Sequence, residues 1–455
     1  MVQKSIQLEL PFEGRGEAPR AKRSGQASSA WKADEHPGTG SLMELAVERD
    51  NLMRALKHVK QNKGGPGVDG MILDELSDYL KQEWPRIREE LLVGSYKPSP
   101  VLRRLIDKPG GGKRELGIPT VLDRFIQQAI LQVLQPIYDV TFSEHSHGFR
   151  PGRCAHDAIR EAQRYIQGGK QWVVDVDVEK FFDRVNHDVL MGRLARKIGD
   201  RRLLRLIRSY LVAGVMDGGV AVERYEGTPQ GGPLSPLLAN VLLDEVDKEL
   251  EKRGHAFVRY ADDLRVFVGS QRAGERVMRS LVVLFGKLRL QINKAKSAVD
   301  RASYRSFLGF SFWTTSAMIT HVRVSKQSLA RMKDRVRQIT RRSGGRSLVQ
   351  VAKELRQYLL GWRNYFQLTG MTKTFIRLDA WIRHRLRMIQ LKHWKRGRTA
   401  YREMRSLGVP EWLAQQAASN VSSWWRTSAK SLNTALPITY FDELGVPRLA
   451  PSTST

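Results

Sequence analysis

Residues 257–268 read Phe257-Val-Arg-Tyr-Ala-Asp-Asp-Leu-Arg-Val-Phe-Val268. Two β-prone runs flank a short break, so the stretch is expected to form two strands around a tight turn. Asp262 and Asp263 repel each other there, and little nearby sequence pairs or buries them. A divalent metal would neutralise them. Upstream, Trp172-Val-Val-Asp-Val-Asp-Val178 reads as another strand, with Asp175 and Asp177 on one side of it. Carboxylates from two strands meeting at one sheet edge supply hard oxygen ligands suited to Mg²⁺. Two such ions can activate a 3′-hydroxyl and stabilise a leaving pyrophosphate. The bland alternative is a surface Asp-Asp pair in a hairpin loop.

Outward from this centre, a helix is expected from Ser235 to Lys252, after a loop broken by Pro229, Gly231, Gly232 and Pro233. Its entry reads as an N-cap serine. Gly274 to Leu290 is again helical. The order of elements is irregular, so a doubly wound parallel sheet is not indicated. An α+β fold with an antiparallel sheet fits better. Helical spacing begins at Leu42 and continues through Leu45, Leu52, Leu56 and Val59, until Lys63-Gly-Gly-Pro-Gly stops it. Residues 1–40, rich in Gly, Ser, Pro and charge, read as a mobile tail.

The 455 residues carry 76 Lys plus Arg against 47 Asp plus Glu, a net charge of +29. Such an excess points to a polyanionic partner. No run approaches the roughly 18 apolar residues of a membrane span, so no membrane role is expected. The single cysteine, Cys154, excludes an intramolecular disulfide and a Cys-based zinc site. It sits with His156 in Gly152-Arg-Cys-Ala-His-Asp157, where burial or helix capping is the expected role. The N-terminus has no secretory pattern, so the expected location is the cytoplasm.

After His321 the character changes. Residues 321–400 hold 21 Lys plus Arg and 3 Asp plus Glu, a net of +18. Leu348, Val351, Leu355, Leu359 and Trp362 form one helical apolar stripe. Phe375, Leu378, Ile382, Leu386 and Ile389 form another, with Arg377, Arg383 and Arg387 off it. This is the footprint of a helical bundle with one face on a phosphate backbone. Trp362, Trp381 and Trp394 lie among the charges and are expected to be mostly core.

Seven segments follow one another in a recognisable order. They are Lys108-Pro-Gly-Gly-Gly-Lys-Arg-Glu-Leu-Gly-Ile-Pro-Thr-Val-Leu-Asp-Arg124, Gly148-Phe-Arg-Pro-Gly-Arg153, Asp175-Val-Asp-Val-Glu-Lys-Phe-Phe-Asp183, Gly227-Thr-Pro-Gln-Gly-Gly-Pro-Leu-Ser-Pro236, Tyr260-Ala-Asp-Asp263, Asn293-Lys-Ala-Lys-Ser297 and Phe307-Leu-Gly-Phe-Ser-Phe312. On these residues the chain resembles the bacterial group II intron reverse transcriptase/maturases. The resemblance implies a right-hand polymerase: fingers and palm over 41–318, a helical thumb/maturase domain over 319–410, and a short DNA-binding segment and tail over 411–455. It implies Asp177, Asp262 and Asp263 as catalytic metal ligands with the Val178 backbone carbonyl, holding two Mg²⁺ ions for which Mn²⁺ can substitute. An aromatic five residues after the metal-binding Asp is Phe182 if that Asp is Asp177. By the family pattern Asp175 would then be structural, and Phe182 would be the aromatic that excludes a 2′-hydroxyl.

The same resemblance places Lys108 and Arg114 on the triphosphate, with Lys113 a weaker alternative, and Gln230 and Lys296 beside the nucleotide. Arg124 and Arg150 would contact phosphate backbone or brace the fingers, while Arg377, Arg383 and Arg387 would face RNA. The implied partners are intron RNA, template RNA with primer DNA, deoxynucleoside triphosphates and target DNA. The implied function is RNA-directed DNA synthesis, with help to splicing and target-primed mobility. The Cys pairs of the family's endonuclease domain have no match, as in the group IIC type. A domesticated reverse transcriptase in defence or repair, and a splicing-only maturase, are the competing expectations.

Overall fold

The computed structural model describes residues 40–107, 112–217, 220–222, 225–429 and 431–450. The expected N-terminal tail and Lys108 lie outside them. The described residues fall into two compact units divided between Arg301 and Ala302.

The first unit is α+β and contains strands β1 (Val101–Asp107), β2 (Lys113–Ile118), β3 (Trp172–Val176), β4 (Val215–Asp217), β5 (Val220–Val222), β6 (Ala256–Tyr260), β7 (Asp263–Val268) and β8 (Ala298–Arg301). One four-stranded sheet has the order β2-β1-β4-β5, with a single parallel pairing, β1 with β4. The other has the order β6-β7-β3-β8 and is antiparallel throughout. Its alternation sorts the side chains. Val174, Val176, Phe257, Leu264 and Val266 enter the hydrophobic core with the helices Ser235–Lys252 and Gln271–Lys287. Asp175, Asp263 and Arg265 take the opposite face.

The expected helices form with two adjustments. The helix after β7 starts at Gln271, because the Ser270 hydroxyl accepts from Ala273 N and caps it. Ser235 is the first helical residue rather than the cap. Its hydroxyl donates back to the Pro229 carbonyl at 2.7 Å, so it pins the preceding loop. Cys154 caps the helix Ala155–Gln167 through a reciprocal arrangement with Asp157, and His156 is buried.

The second unit opens with β9 (Ser306–Phe307), β10 (Phe310–Thr314) and β11 (Thr320–Val324), a three-stranded antiparallel sheet. This sheet groups with the helices that follow, so the division precedes the expected boundary at 318. The helices Lys326–Ile339, Leu348–Phe366 and Thr372–Trp394 carry the expected stripes into a core with Trp362 and Trp394, while Trp381 lies half-buried between Arg337 and Arg385. Among the described residues no helix is long and apolar enough to cross a membrane.

Candidate active site

The 260–263 hairpin is as tight as a hairpin allows. Tyr260 pairs with Asp263, leaving Ala261 and Asp262 as the two turn residues. Ala261 adopts a left-handed φ of 56°, a position glycine takes without cost. It is fully buried. Gly148 explains the crowding, since a Cβ there would stand 2.2 Å from the Ala261 nitrogen.

Register brings the carboxylates together. Val176 pairs with Leu264, so the same register carried one residue further sets Asp177 opposite Asp263. Asp175 pairs directly with Arg265 and forms a buried ion pair with it. That arginine neutralises Asp175 and gives it a structural partner. Asp177 is instead half-buried at the sheet's end, where its amide donates to Ser297 Oγ at 2.9 Å and its carbonyl accepts from Asn293 N at 2.8 Å. The segment Asn293–Ser297 therefore works as a clamp on the Asp177 backbone. It also brings Lys296 Nζ to 3.7 Å from Asp177 Oδ2. Val178 follows in an isolated bridge with Ile292.

Five residues on, a single 3-10 turn spans Phe181–Asp183. Phe181 is buried at 3% exposure, and Phe182 is half-buried against it edge to face, with ring centroids 5.1 Å apart. The 227–230 loop is laced to this turn: Thr228 N donates to the Phe182 carbonyl at 2.7 Å, and Gly227 N to the Val185 carbonyl at 2.8 Å. The Gln230 carbonyl accepts from Gly117 N at 3.0 Å, tying the same loop to β2. Backbone hydrogen bonds thus join the Phe182 turn, the 227–230 loop and β2 into one continuous support. Arg114 lies exposed on β2, paired in register with Ile106, and Lys113 with Asp107.

Several arginines spend their guanidinium groups on protein, Arg150 and Arg124 in the bracing alternative expected for them and Arg383 and Arg387 against expectation. Arg150 is buried and spends its guanidinium on protein, donating to Asp139 Oδ1 at 2.8 Å and to the carbonyls of Asp139, Ser143 and Ser146. It braces the 139–150 segment and has no face for phosphate. Arg124 is half-buried and donates to the Gly65 carbonyl at 2.6 Å. Arg383 and Arg387 are corrected most sharply, being 1% and 5% exposed. Arg383 donates to Asp379 and Asp442, and Arg387 to the Leu436 carbonyl at 2.8 Å. They hold residues 436–450 onto the helix Thr372–Trp394 rather than meeting RNA. Burial, with the neighbouring Arg383 charge, pulls the Arg387 group down to about 10, so it remains a cation at neutral pH. Arg377 is exposed as expected.

One cluster escaped sequence reasoning. Glu161 accepts from His145 Nδ1 at 2.5 Å, His147 Nε2 at 2.6 Å and the Tyr165 hydroxyl at 2.8 Å. Burial alone would raise its carboxyl, but these hydrogen bonds prevail and bring it down to about 2. His145 is raised in turn, chiefly by its hydrogen bond to Glu161. The backbone of His145 and His147 pairs with Arg259 on β6. Only the spacing of two histidines before the Gly148 motif hinted at it.

The donor set suits a divalent metal, with hard oxygens from Asp177 and Asp263 sharing one end and one face of the sheet. Among the described residues, no three His, Cys, Asp or Glu side chains already stand in metal-holding range.

Residues 106–312 match the family model for reverse transcriptase (RNA-dependent DNA polymerase), and residues 329–408 the maturase-specific domain of group II introns. Protein YkfC of Escherichia coli K12 is 33% identical over 303 residues, which cover 58% of this chain and 80% of YkfC. Group II intron-encoded protein LtrA of Lactococcus lactis is 38% identical over 208 residues, covering 46% of this chain and 34% of LtrA. A solved chain from a partial Cas6-RT-Cas1–Cas2 complex is 26% identical over 54% of this chain and 42% of its own, at a TM-score of 0.36.

Proposed function

The chain belongs to the group II intron-encoded reverse transcriptase/maturases, and on that footing we propose that it copies RNA into DNA from the Asp177–Asp263 centre while binding its intron RNA to assist splicing and mobility. The observation that supports the centre most directly is the register setting Asp177 opposite Asp263, with the Phe182 turn alongside.

The family uses divalent metal, and we assign two Mg²⁺ ions to Asp177, Asp262, Asp263 and the Val178 carbonyl. When bound, these ions would lower the pKa of the primer 3′-hydroxyl and offset charge on the leaving pyrophosphate. The remaining work belongs to the chain. The Asn293–Ser297 clamp holds Asp177 at the sheet's end. Phe182 forms the wall under the sugar, where its ring would overlap a 2′-hydroxyl. Gln230 sits on the loop that joins this wall to β2. Arg114 and Lys108 supply cations for the triphosphate, and Lys296 exchanges its Asp177 contact for a phosphate. The residues 41–318 serve as fingers and palm, 319–410 as the thumb/maturase domain, and 411–455 as the segment for target DNA. The site of action is the cytoplasm, on intron RNA.

Primer extension by the purified chain tests this. Incorporation of deoxynucleotides on an RNA template, dependent on added Mg²⁺, is expected. No extension on RNA or DNA templates with either Mg²⁺ or Mn²⁺ would overturn the polymerase reading.

A further inference from the structure

The metal-binding turn is gripped from its core side by a guanidinium that faces away from the reacting groups. Arg259 pairs with Leu264 on β7, so it projects to the face opposite Asp263. Only 1% of it is exposed. Its Nε donates to Asp247 Oδ1 at 2.8 Å and its Nη2 to Asp247 Oδ2 at 2.5 Å. Its Nη1 donates to Asn240 Oδ1 at 2.8 Å and to the Ala261 carbonyl at 2.9 Å. Asn240, also fully buried, passes the contact on by donating to the Gly148 carbonyl at 2.9 Å. Gly148 is the residue whose backbone crowds Ala261.

Two features make this more than an internal ion pair. The carbonyl that Arg259 holds belongs to Ala261, the residue in left-handed conformation. That peptide unit leads directly into Asp262. A residue held at an unfavourable φ persists only where its surroundings over-determine it. The Arg259 fork is also geometrically particular, because one planar group bridges helix, strand and turn through four N–H donors. A lysine ammonium could keep the Asp247 charge but could not span all three.

We propose that Arg259 is a positioning residue for the reaction, fixing the Ala261 carbonyl so that Asp262 and Asp263 are set for metal before metal arrives. This rests on the polymerase reading of the same site. The alternative is that Arg259 only stabilises the fold through Asp247.

Arg259→Lys separates the two in the full-length protein. The probe is Mn²⁺, its binding followed by electron paramagnetic resonance without nucleic acid, alongside primer extension at varied metal. The expected result is a folded protein whose Mn²⁺ dissociation constant rises fivefold or more. The metal concentration for half-maximal extension should rise in step, with KM for the nucleotide within twofold of wild type. Unchanged Mn²⁺ binding in folded Arg259→Lys would overturn the proposal. Should that variant not fold, the double variant Arg259→Met/Asp247→Leu removes both buried charges at similar volume. It is expected to show the same weakened Mn²⁺ binding, and wild-type binding in it would overturn the proposal, as would failure of both variants to fold. Wild-type protein that binds Mn²⁺ yet extends no primer sinks the polymerase reading instead, leaving the Mn²⁺ constants to decide the role of Arg259.

Discussion

Lys296 Nζ stands 3.7 Å from Asp177 Oδ2, on the flank of Asp177 away from Asp263. Lys296 stands in the 294–296 turn that precedes β8, and β8 pairs with β3 on the side opposite β7. The lysine side chain is 69% exposed, so the pair adds at most about 1 kcal/mol to stability. Lys296→Ala should leave the unfolding midpoint almost unmoved. It should raise KM for the incoming nucleotide about tenfold, since a charge-assisted contact contributes roughly 1.5–3 kcal/mol. Steady-state incorporation beside a thermal melt checks both, and an unchanged KM would remove Lys296 from the nucleotide site.

Asp177→Asn or Asp262→Asn should abolish DNA synthesis, because an oxygen ligand that loses its charge holds Mg²⁺ poorly. RNA affinity should persist, since the basic 302–450 unit lies elsewhere in the sequence. Extension assays and filter binding on the same preparations test the separation. Wild-type extension by folded Asp262→Asn would reject the site.

Phe182→Val should increase ribonucleotide relative to deoxyribonucleotide insertion tenfold or more, as relief of about 1.4 kcal/mol of overlap is a factor of ten. Phe181→Val should cost roughly 2 kcal/mol of stability with the ratio unchanged, because Phe181 is packed in the core at 3% exposure. Single-nucleotide insertion on one primer–template decides, and a larger shift from Phe181→Val would reverse the assignment.

The arginines of the helix Thr372–Trp394 should divide by burial. Arg377→Ala should reduce the salt slope of RNA binding by roughly 0.7–0.9, the contribution of one phosphate contact. Arg383→Ala should instead lower stability by roughly 1.5–3 kcal/mol, since it removes the buried charged hydrogen bonds that tie Asp379 to Asp442 while Asp379 keeps the Leu449 and Ala450 amides and Asp442 keeps Arg448. Binding isotherms at several salt concentrations and urea melts distinguish them. A lowered slope in stable, folded Arg383→Ala would contradict its burial.

The Glu161 cluster gives a pH signature. The folded Glu161 carboxyl lies at about 2 against an ordinary 4.5, so its contribution is present above 4.5 and lost as pH falls toward 2. His145 is raised above its ordinary 6.5, so its contribution is full below 6.5 and lost as pH rises through the raised value. Glu161→Gln should therefore flatten the stability profile on both sides of the window from 4.5 to 6.5. Thermal melts from about pH 2 to well above pH 6.5 compare the two proteins, and an identical acid limb would clear Glu161.

Alternation and spacing made the hairpin and the Asp177 strand legible, because each depends on a local period, while Phe182 was singled out only by the family resemblance. The reading of Asp175 as structural came from the family pattern, and the structure adds an ion pair between Asp175 and Arg265. The burial of Arg383 and Arg387 was not legible. A helical stripe reveals one buried face, and nothing in residues 372–394 shows that 436–450 covers a second. Arg259 was equally hidden, since its partners Asp247 and Asn240 come from a helix whose contacts depend on tertiary packing.

The clamp on Asp177 has a consequence for how the chain becomes an enzyme during synthesis. Its amide is satisfied by Ser297, 120 positions later, and Asn240 reaches back 92 positions to Gly148. Contacts that close such long loops form late, after the local helices. A nascent chain emerging from the ribosome therefore carries Asp177 long before anything fixes its backbone. The Asn293–Ser297 clamp can form only once residues near 297 have emerged, so shorter translation products carry Asp177 without the groups that fix its backbone.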